Sequence, residues 1–471
     1  MTQSIENKVP QVEKKRLEFY GGMLGLMIPF IVLFVGIIVL ALTGNALPDA
    51  FWVPTLAAIL LAIALAKNKE ACANSLVKGM ASEMVAIMLM AWFLAGVVGQ
   101  IMKSTGLIEG LVWLTTSIGL EGRYFPAITF LIGSLISTAT GTALGTVIAL
   151  APVLYPVGVA IGANPAVMLA SIVSAGYFGD NLAPISDTTI ASAYTQGVDV
   201  SVVVKSRLKY ALVAAAFATA LFVLFGGSGA AVTGEKVVLG SPKGLIMLLA
   251  PALLIAMMYR GKHLIVSLVF TVAFGLALGL IMGQIGFSDI FNVDMNTFSS
   301  HGIIVDGMMG LVGIVVFALL LMALVRLLED GGFFEFLIDK LSRFTDSPRT
   351  AELVVYLINI VLSILTVANT IVIVMEGPLA KKILVEKHGI ARDRSANILD
   401  CTACGAMCLI PYGFAPLLAY QFATSSGAAV VGSVVDVCLY SFHGYGLLLV
   451  MLFSILTGWS RKFEPELKVN D

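Results

Sequence analysis

The chain has 471 residues, 59% of them hydrophobic and only 12% charged, with a net charge of −1. Its mean hydropathy is +0.98. A soluble protein has about a quarter of its residues charged, and a near-neutral chain lacks the basic footprint of a nucleic-acid binder, so both classes are excluded and the bilayer is left as solvent.

The N-terminal stretch "KVPQVEKKR" is polar and basic, and no cleavage pattern precedes the first apolar run. That run, from Gly21 to Leu42, is uncharged and is expected to stay as an anchor. Roughly 20 apolar residues suffice for a helix to cross. No alternating strand pattern points to an outer-membrane barrel. Lipid satisfies no backbone hydrogen bond, so the spans are expected to be helices. Basic clusters mark cytoplasmic loops: Lys14 to Arg16, Lys67 to Lys78, Lys205, Arg207 and Lys209, Arg260 and Lys262, Arg343 to Arg394, and Arg461 with Lys462. Asp289 to Asp306 contains acids and no Lys or Arg, so it is expected outside. About ten full crossings with both termini cytoplasmic satisfy these assignments.

Two regions do not read as simple spans. Tyr124 to Gly179 carries no charged residue or histidine, is too long for one helix, and is broken by Gly141, Gly145, Pro152, Pro156 and Pro165. Leu353 to Met375 is followed by Glu376, Gly377 and Pro378. Each reads as a helical hairpin, turning at "STATGT" (Ser137 to Thr142) or "TVANT" (Thr366 to Thr370). Irregular backbone at that depth is tolerated only where protein or a water-filled cavity covers it. The two regions correspond in order, about 226 to 229 residues apart, and positive-inside counting starts them from opposite sides, the pattern of an inverted-topology repeat. The expected fold is therefore all-α and membrane-integral: about ten full spans, two hairpins and broken helices. Its segments are a cytoplasmic tail (1–19), a scaffold pair (20–79), a first repeat (80–205), central scaffold helices (206–300), a second repeat (301–440), and a last helix with tail (441–471).

"SAGYFGDNLAPISDTTI" (Ser174 to Ile190) ends the first repeat. Pro184 lacks an amide proton and disfavours helix at the residue before it, so a helix ending near Gly179 breaks there. Freed carbonyls, carboxylates and hydroxyls are hard oxygen donors suited to Na+, and an ionisable group in a span is a functional candidate. A carboxylate removed from water binds a proton more readily, so proton and cation can compete for it. Asp180 and Asp187 are the candidate ligands, with Asn181, Ser186 and Thr188 beside them. Asp187 also suits a helix N-cap. From the hairpin tips Thr138, Thr140, Thr142, Asn369 and Thr370 are expected to converge on the same cavity, with Asp400 and Thr402 from the second broken segment. Small hydroxyl residues also pack helices together, which accounts for any one threonine equally well. Cys401 and Cys404 form a CxxC with Cys408 a turn later; small reduced packing residues fit an apolar run better than a metal or redox site. Glu83 and Asp306 are expected to be solvated, and Glu376 to pair with Lys381 and Lys382 at the cytoplasmic rim. No arginine is expected deep in a span.

The string "GYFGDNLAPISDTT" (Gly176 to Thr189) resembles the signature of the NhaC family of sodium/proton antiporters, and "TATGTALGT" (Thr138 to Thr146) and "LIPYG" (Leu409 to Gly413) are similar to two further stretches of it. The resemblance runs from about residue 20 to 460. It implies a secondary transporter of two inverted halves, often dimeric, in a bacterial-type cytoplasmic membrane. It carries Asp180, Ser186, Asp187 and Thr188 over to the ion path. Where the family often has Lys-Met-Ser-Pro-Leu, this chain has Asn181 to Ile185, and some members resemble malate/lactate exchangers.

The expected function is exchange of Na+ for H+ at buried carboxyls, with those ions and the bilayer as partners and no cofactor. The alternative is Na+- or H+-coupled movement of a small carboxylate or amino acid, received by the exposed amides of the hairpin tips. A channel is a further class, while an intramembrane aspartyl protease lacks a paired catalytic context. No GxxxxGK[ST] loop is present for direct use of ATP.

Overall fold

The computed structural model describes residues 16–227, 241–295, 298–341, 345–428 and 431–464. Lys14, Lys15, Arg343, most of the N-terminal tail and the chain after Glu464 lie outside the described residues. The first part comprises α1 (Met23–Leu42), α2 (Trp52–Leu65), α3 (Lys69–Met80), α4 (Glu83–Ser104), α5 (Leu107–Ser117), α6 (Phe125–Thr140), α7 (Ala143–Ala160), α8 (Pro165–Leu182), α9 (Asp187–Gln196) and α10 (Val200–Phe225). Next come α11 (Leu249–Tyr259), α12 (Leu264–Ile281), the single turn α13 (Phe287–Ile290) and an antiparallel pair, β1 (Asn292–Asp294) and β2 (Ser299–His301). The rest is α14 (Ile303–Met309), α15 (Val312–Asp330), α16 (Phe333–Leu341), α17 (Pro348–Thr366), α18 (Asn369–Ala380), a π-helical turn (Lys381–Lys387), α19 (Arg392–Met407), α20 (Phe414–Ser426), α21 (Val434–Leu439) and α22 (Phe442–Thr457).

Among the described residues nine helical stretches are long and apolar enough to cross a bilayer, and α2 and α22 are shorter apolar helices. The chain is a multi-pass helical membrane protein. Apolar exposure follows from the solvent. Ile31, Val35 and Ile38 of α1 and Val269 and Phe270 of α12 are exposed, as lipid-facing residues should be. After Pro165, every residue of α8 is buried.

Both hairpins form where the sequence placed them. α6 ends at Thr140, Gly141 takes φ +71°, and Thr142 caps α7 by accepting the Gly145 amide at 3.4 Å. Ser347 caps α17, Pro348 occupies its first turn, and the helix ends at Val367 with φ +49°. A β-branched residue in that left-handed region is a genuine outlier. The element order α4–α5–α6/α7–α8/α9 recurs as α15–α16–α17/α18–α19/α20. Small residues let the first hairpin close on α8: a Cβ on Gly179 would lie 2.1 Å from the Ser137 carbonyl carbon, and one on Gly176 would lie 2.9 Å from the Ala143 oxygen. Those contacts pin the helix that carries Asp180.

Candidate functional site

α8 begins with Asn164 accepting the Ala166 and Val167 amides and with Pro165 in its first turn. It stops at Leu182, and the chain turns through Ala183, Pro184 and Ile185 before α9 starts at Asp187. Pro184 disfavours helix at the residue before it, and Ala183 is extended there (ψ 131°); proline does not stop every helix, since α7 runs on through Gly145, Pro152 and Pro156, where the sequence pointed to breaks. The second broken segment stops at Met407 and resumes at Phe414, across Pro411.

Asp180 is buried in the last turn of α8. Ser186 Oγ donates to its Oδ1 at 2.7 Å, and Asn369 Nδ2, from the second hairpin tip, donates to its Oδ2 at 2.7 Å. Ser186 and Thr188 hydroxyls lie 2.9 Å apart. A helix end leaves carbonyls without partners. Here the Asp180 carbonyl accepts Thr188 Oγ1 at 2.8 Å, and the Asn181 carbonyl accepts an Arg207 N–H at 2.6 Å. The carbonyls expected to be free for a cation are therefore occupied, and the oxygens left around Asp180 are carboxylate and hydroxyl. Asp187 differs. It is exposed, lies in the first turn of α9, and accepts Thr370 Oγ1 at 2.7 Å and the Thr188 amide at 3.1 Å. The cap position is Ser186, not Asp187.

Asp400 on α19 is fully buried and ion-paired to Arg207 of α10, itself 0% exposed. Asn181 Nδ2 donates to Asp400 Oδ1 at 3.3 Å and Cys404 Sγ donates to the same oxygen at 3.1 Å. Arg207 also donates to Thr189 Oγ1, Ser192 Oγ and Asn397 Oδ1, so it ties α8, α9 and α19 together. This runs against the expectation that no arginine lies deep in a span: Arg207 is fully buried within the candidate span Val200–Phe225. A signal was present: Val203, Arg207, Tyr210, Ala211 and Ala214 recur at helical spacing as one buried face of α10, while Lys205 is exposed. Arg394, expected in a cytoplasmic basic cluster, is also buried, paired with Glu352 at 2.9 Å.

Asp180, Asn181, Ser186, Asp187, Thr188, Asn369, Thr370 and Asp400 thus lie in one neighbourhood. The remaining candidates do not join their hydrogen bonds. Thr138 Oγ1 donates to Ser134 O and Thr140 Oγ1 to Ser137 O, both within α6, while Thr142 caps α7. The side chain of Thr402 is buried, and its hydroxyl has no hydrogen-bond partner among the described residues. Glu83 and Asp306 are exposed, as expected. Glu376 is fully buried and accepts Asn359 Nδ2 at 2.9 Å; no lysine pairs with it among the described residues, contrary to expectation. Cys401, Cys404 and Cys408 are buried and free. Among the described residues no group of three or more His, Cys, Asp or Glu is placed to hold a metal.

The buried acids among the described residues are Asp180, Glu352, Glu376 and Asp400. Arginine neutralises Glu352 and Asp400. Asp180 has hydroxyl and amide donors but no basic partner within ion-pair distance among the described residues. An uncompensated buried carboxylate is costly and must take up a proton or a cation. Asp180 is therefore the uncompensated acid at the break, whereas Asp400 is already matched.

A family model described as the Na+/H+ antiporter family matches residues 17–227 and 234–459. The chain is 23% identical over 385 residues to the Na(+)/H(+) antiporter NhaC of Alkalihalophilus pseudofirmus, covering 78% of this chain and 80% of that one. It is 26% identical over 185 residues to the Malate-2H(+)/Na(+)-lactate antiporter of Bacillus subtilis, covering 38% of this chain and only 37% of that relative. Among solved structures, the Alcanivorax borkumensis YdaH transporter overlaps 82% of this chain and 88% of its own at 16% identity and a TM-score of 0.38, too low to carry an argument.

Proposed function

The chain belongs to the Na+/H+ antiporter family, and from that premise we propose that it is a secondary active transporter exchanging Na+ for H+ by alternate occupation of Asp180. The observation that carries the site assignment is the pairing pattern of the buried acids: the carboxyl at the Pro184 break lacks a countercharge, and the second hairpin touches it through Asn369. With a proton bound, Asp180 is neutral and the site is closed by Ser186 and Asn369. Na+ in place of the proton is held by the carboxylate, with Ser186 and Thr188 hydroxyls within reach and Asp187 and Thr370 at the exposed edge. The two cannot occupy one carboxylate together, which is the minimal coupling for exchange. In this reading the two halves are an inverted duplication and both termini are cytoplasmic.

The test is reconstitution in vesicles loaded with a pH dye. Na+ alone is expected to drive proton movement. Movement that requires an added small carboxylate or amino acid would replace exchange with solute coupling. The pairing of Arg207 with Asp400 leaves that guanidinium committed rather than free for a substrate carboxylate, which favours the inorganic ion.

A further inference from the structure

The second uncompensated acid is on the hairpin itself. Glu376 lies in α18, seven residues after Asn369, about 10 Å along a helix at 1.5 Å per residue. It is 0% exposed. Its Oε2 accepts Asn359 Nδ2 of α17 at 2.9 Å, and the same amide donates to the Leu399 carbonyl of α19 at 3.2 Å. Among the described residues Glu376 Oε1 and Asn359 Oδ1 are buried without hydrogen-bond partners, as is Ser363 Oγ one turn further along α17. The next residue, Gly377, is fixed by Gln196 Nε2 donating to its carbonyl at 2.9 Å, so this stretch is seated against α9 as well as α17 and α19.

Charged groups on the elements packed against α18 are already engaged or lie elsewhere. Asp187 of α9 accepts from Thr370. Glu352 of α17 is held by Arg394 and Arg461. Asp400 of α19 is held by Arg207. Lys381 and Lys382 follow in the π-helical turn and neither forms an ion pair with Glu376 among the described residues, and Glu335 of α16 is exposed. A carboxylate seated here with one amide donor and no cation is strongly disfavoured, and a proton removes the penalty.

We propose that Glu376 is a second proton-binding site, built into the hairpin that presents Asn369 and Thr370, and that α18 docks between α17 and α19 only with this proton bound. The proton adds to the carboxylate oxygen on docking and leaves to water when the hairpin moves. The link to exchange rests on the reading above; the protonation itself does not.

Infrared difference spectra of vesicles holding wild type, Glu376→Gln, Glu376→Asp and Asp180→Asn, stepped from acid to alkali with and without Na+, separate the two. Two carboxylic-acid bands bleached by alkali are expected in wild type: the Asp180 band, absent in D180N, and a second band, present in D180N, lost in E376Q and restored, displaced, in E376D. E376Q keeps the amide contact to Asn359, so loss of the second band is not loss of the fold. An unchanged second band in E376Q, or a band that Na+ removes at constant pH in D180N, overturns the proposal. Absence of any Na+-sensitive carboxyl in wild type would instead sink Asp180 as the exchange site and leave the Glu376 bands readable. In flux assays each required proton adds a decline of up to about tenfold per pH unit on the alkaline side. E376Q is expected to keep only the shallower decline set by the proton that Asp180 takes up, and a decline identical to wild type counts against the second site.

Discussion

The two broken helices share an architecture and differ in chemistry. At the first break, Pro184 separates Asp180 and Asn181 from Ser186, Asp187 and Thr188. At the second, Pro411 lies in "LIPYGF", with no acid between Met407 and Phe414. Asp400, the buried acid of α19, sits earlier on that helix and is neutralised by Arg207. The hairpin tips divide their work in the opposite sense. The first uses its threonines to close its own turn, whereas the second sends Asn369 and Thr370 across to Asp180 and Asp187. The site is therefore built from the break of one half and the tip of the other.

The largest effect that would sharpen this contrast is at Asp180. Asp180→Asn is expected to abolish Na+-driven proton flux in vesicles while folded protein is still recovered; normal flux would remove the break as the site. Next is the matched acid. Arg207→Met leaves Asp400 buried without its partner, which costs about 3–5 kcal/mol, read as a lower thermal midpoint in detergent. Adding Asp400→Leu should recover much of that loss, and a strictly additive double variant would show that the two do not act as a pair. The tips come third. A Cβ on Gly141 would meet Ile185 at 2.7 Å at φ +71°, so Gly141→Val is expected to destabilise by about 2–4 kcal/mol from left-handed strain and overpacking. Smallest are single donors. Asn369→Ala should weaken apparent Na+ affinity by roughly tenfold, the value of one hydrogen bond to a charged group. Thr140→Val is expected to change it little, and equal losses in both would erase the division of labour between the tips.

What the sequence disclosed follows the physics that writes clear signals. Proline restricts its predecessor, so the break before Pro184 was readable; an uncharged run with internal Gly and Pro marked the first hairpin, and an uncharged run ending at Glu376, Gly377 and Pro378 marked the second. Arg207 was hidden because Lys205 and Lys209 flank it, and counting basic residues treats all three as loop. Residues two apart face nearly opposite sides of a helix, and on that criterion Arg207 alone joins the buried face of α10. Glu376 was misplaced for a related reason. Lys381 and Lys382 are near in sequence, but the π-helical turn places them beyond the packed part of α18. The roles of Thr138 and Thr140 depend on whether a hydroxyl folds back on its own helix, which composition does not encode.

Val367 makes the second tip different from a relaxed turn. Its backbone occupies a conformation that disfavours a branched side chain by about 1–2 kcal/mol, two residues from the amide that grips Asp180. The second tip therefore carries local backbone strain beside the Asn369 contact to Asp180, whereas the first tip makes its left-handed turn on Gly141, which has no side chain to strain.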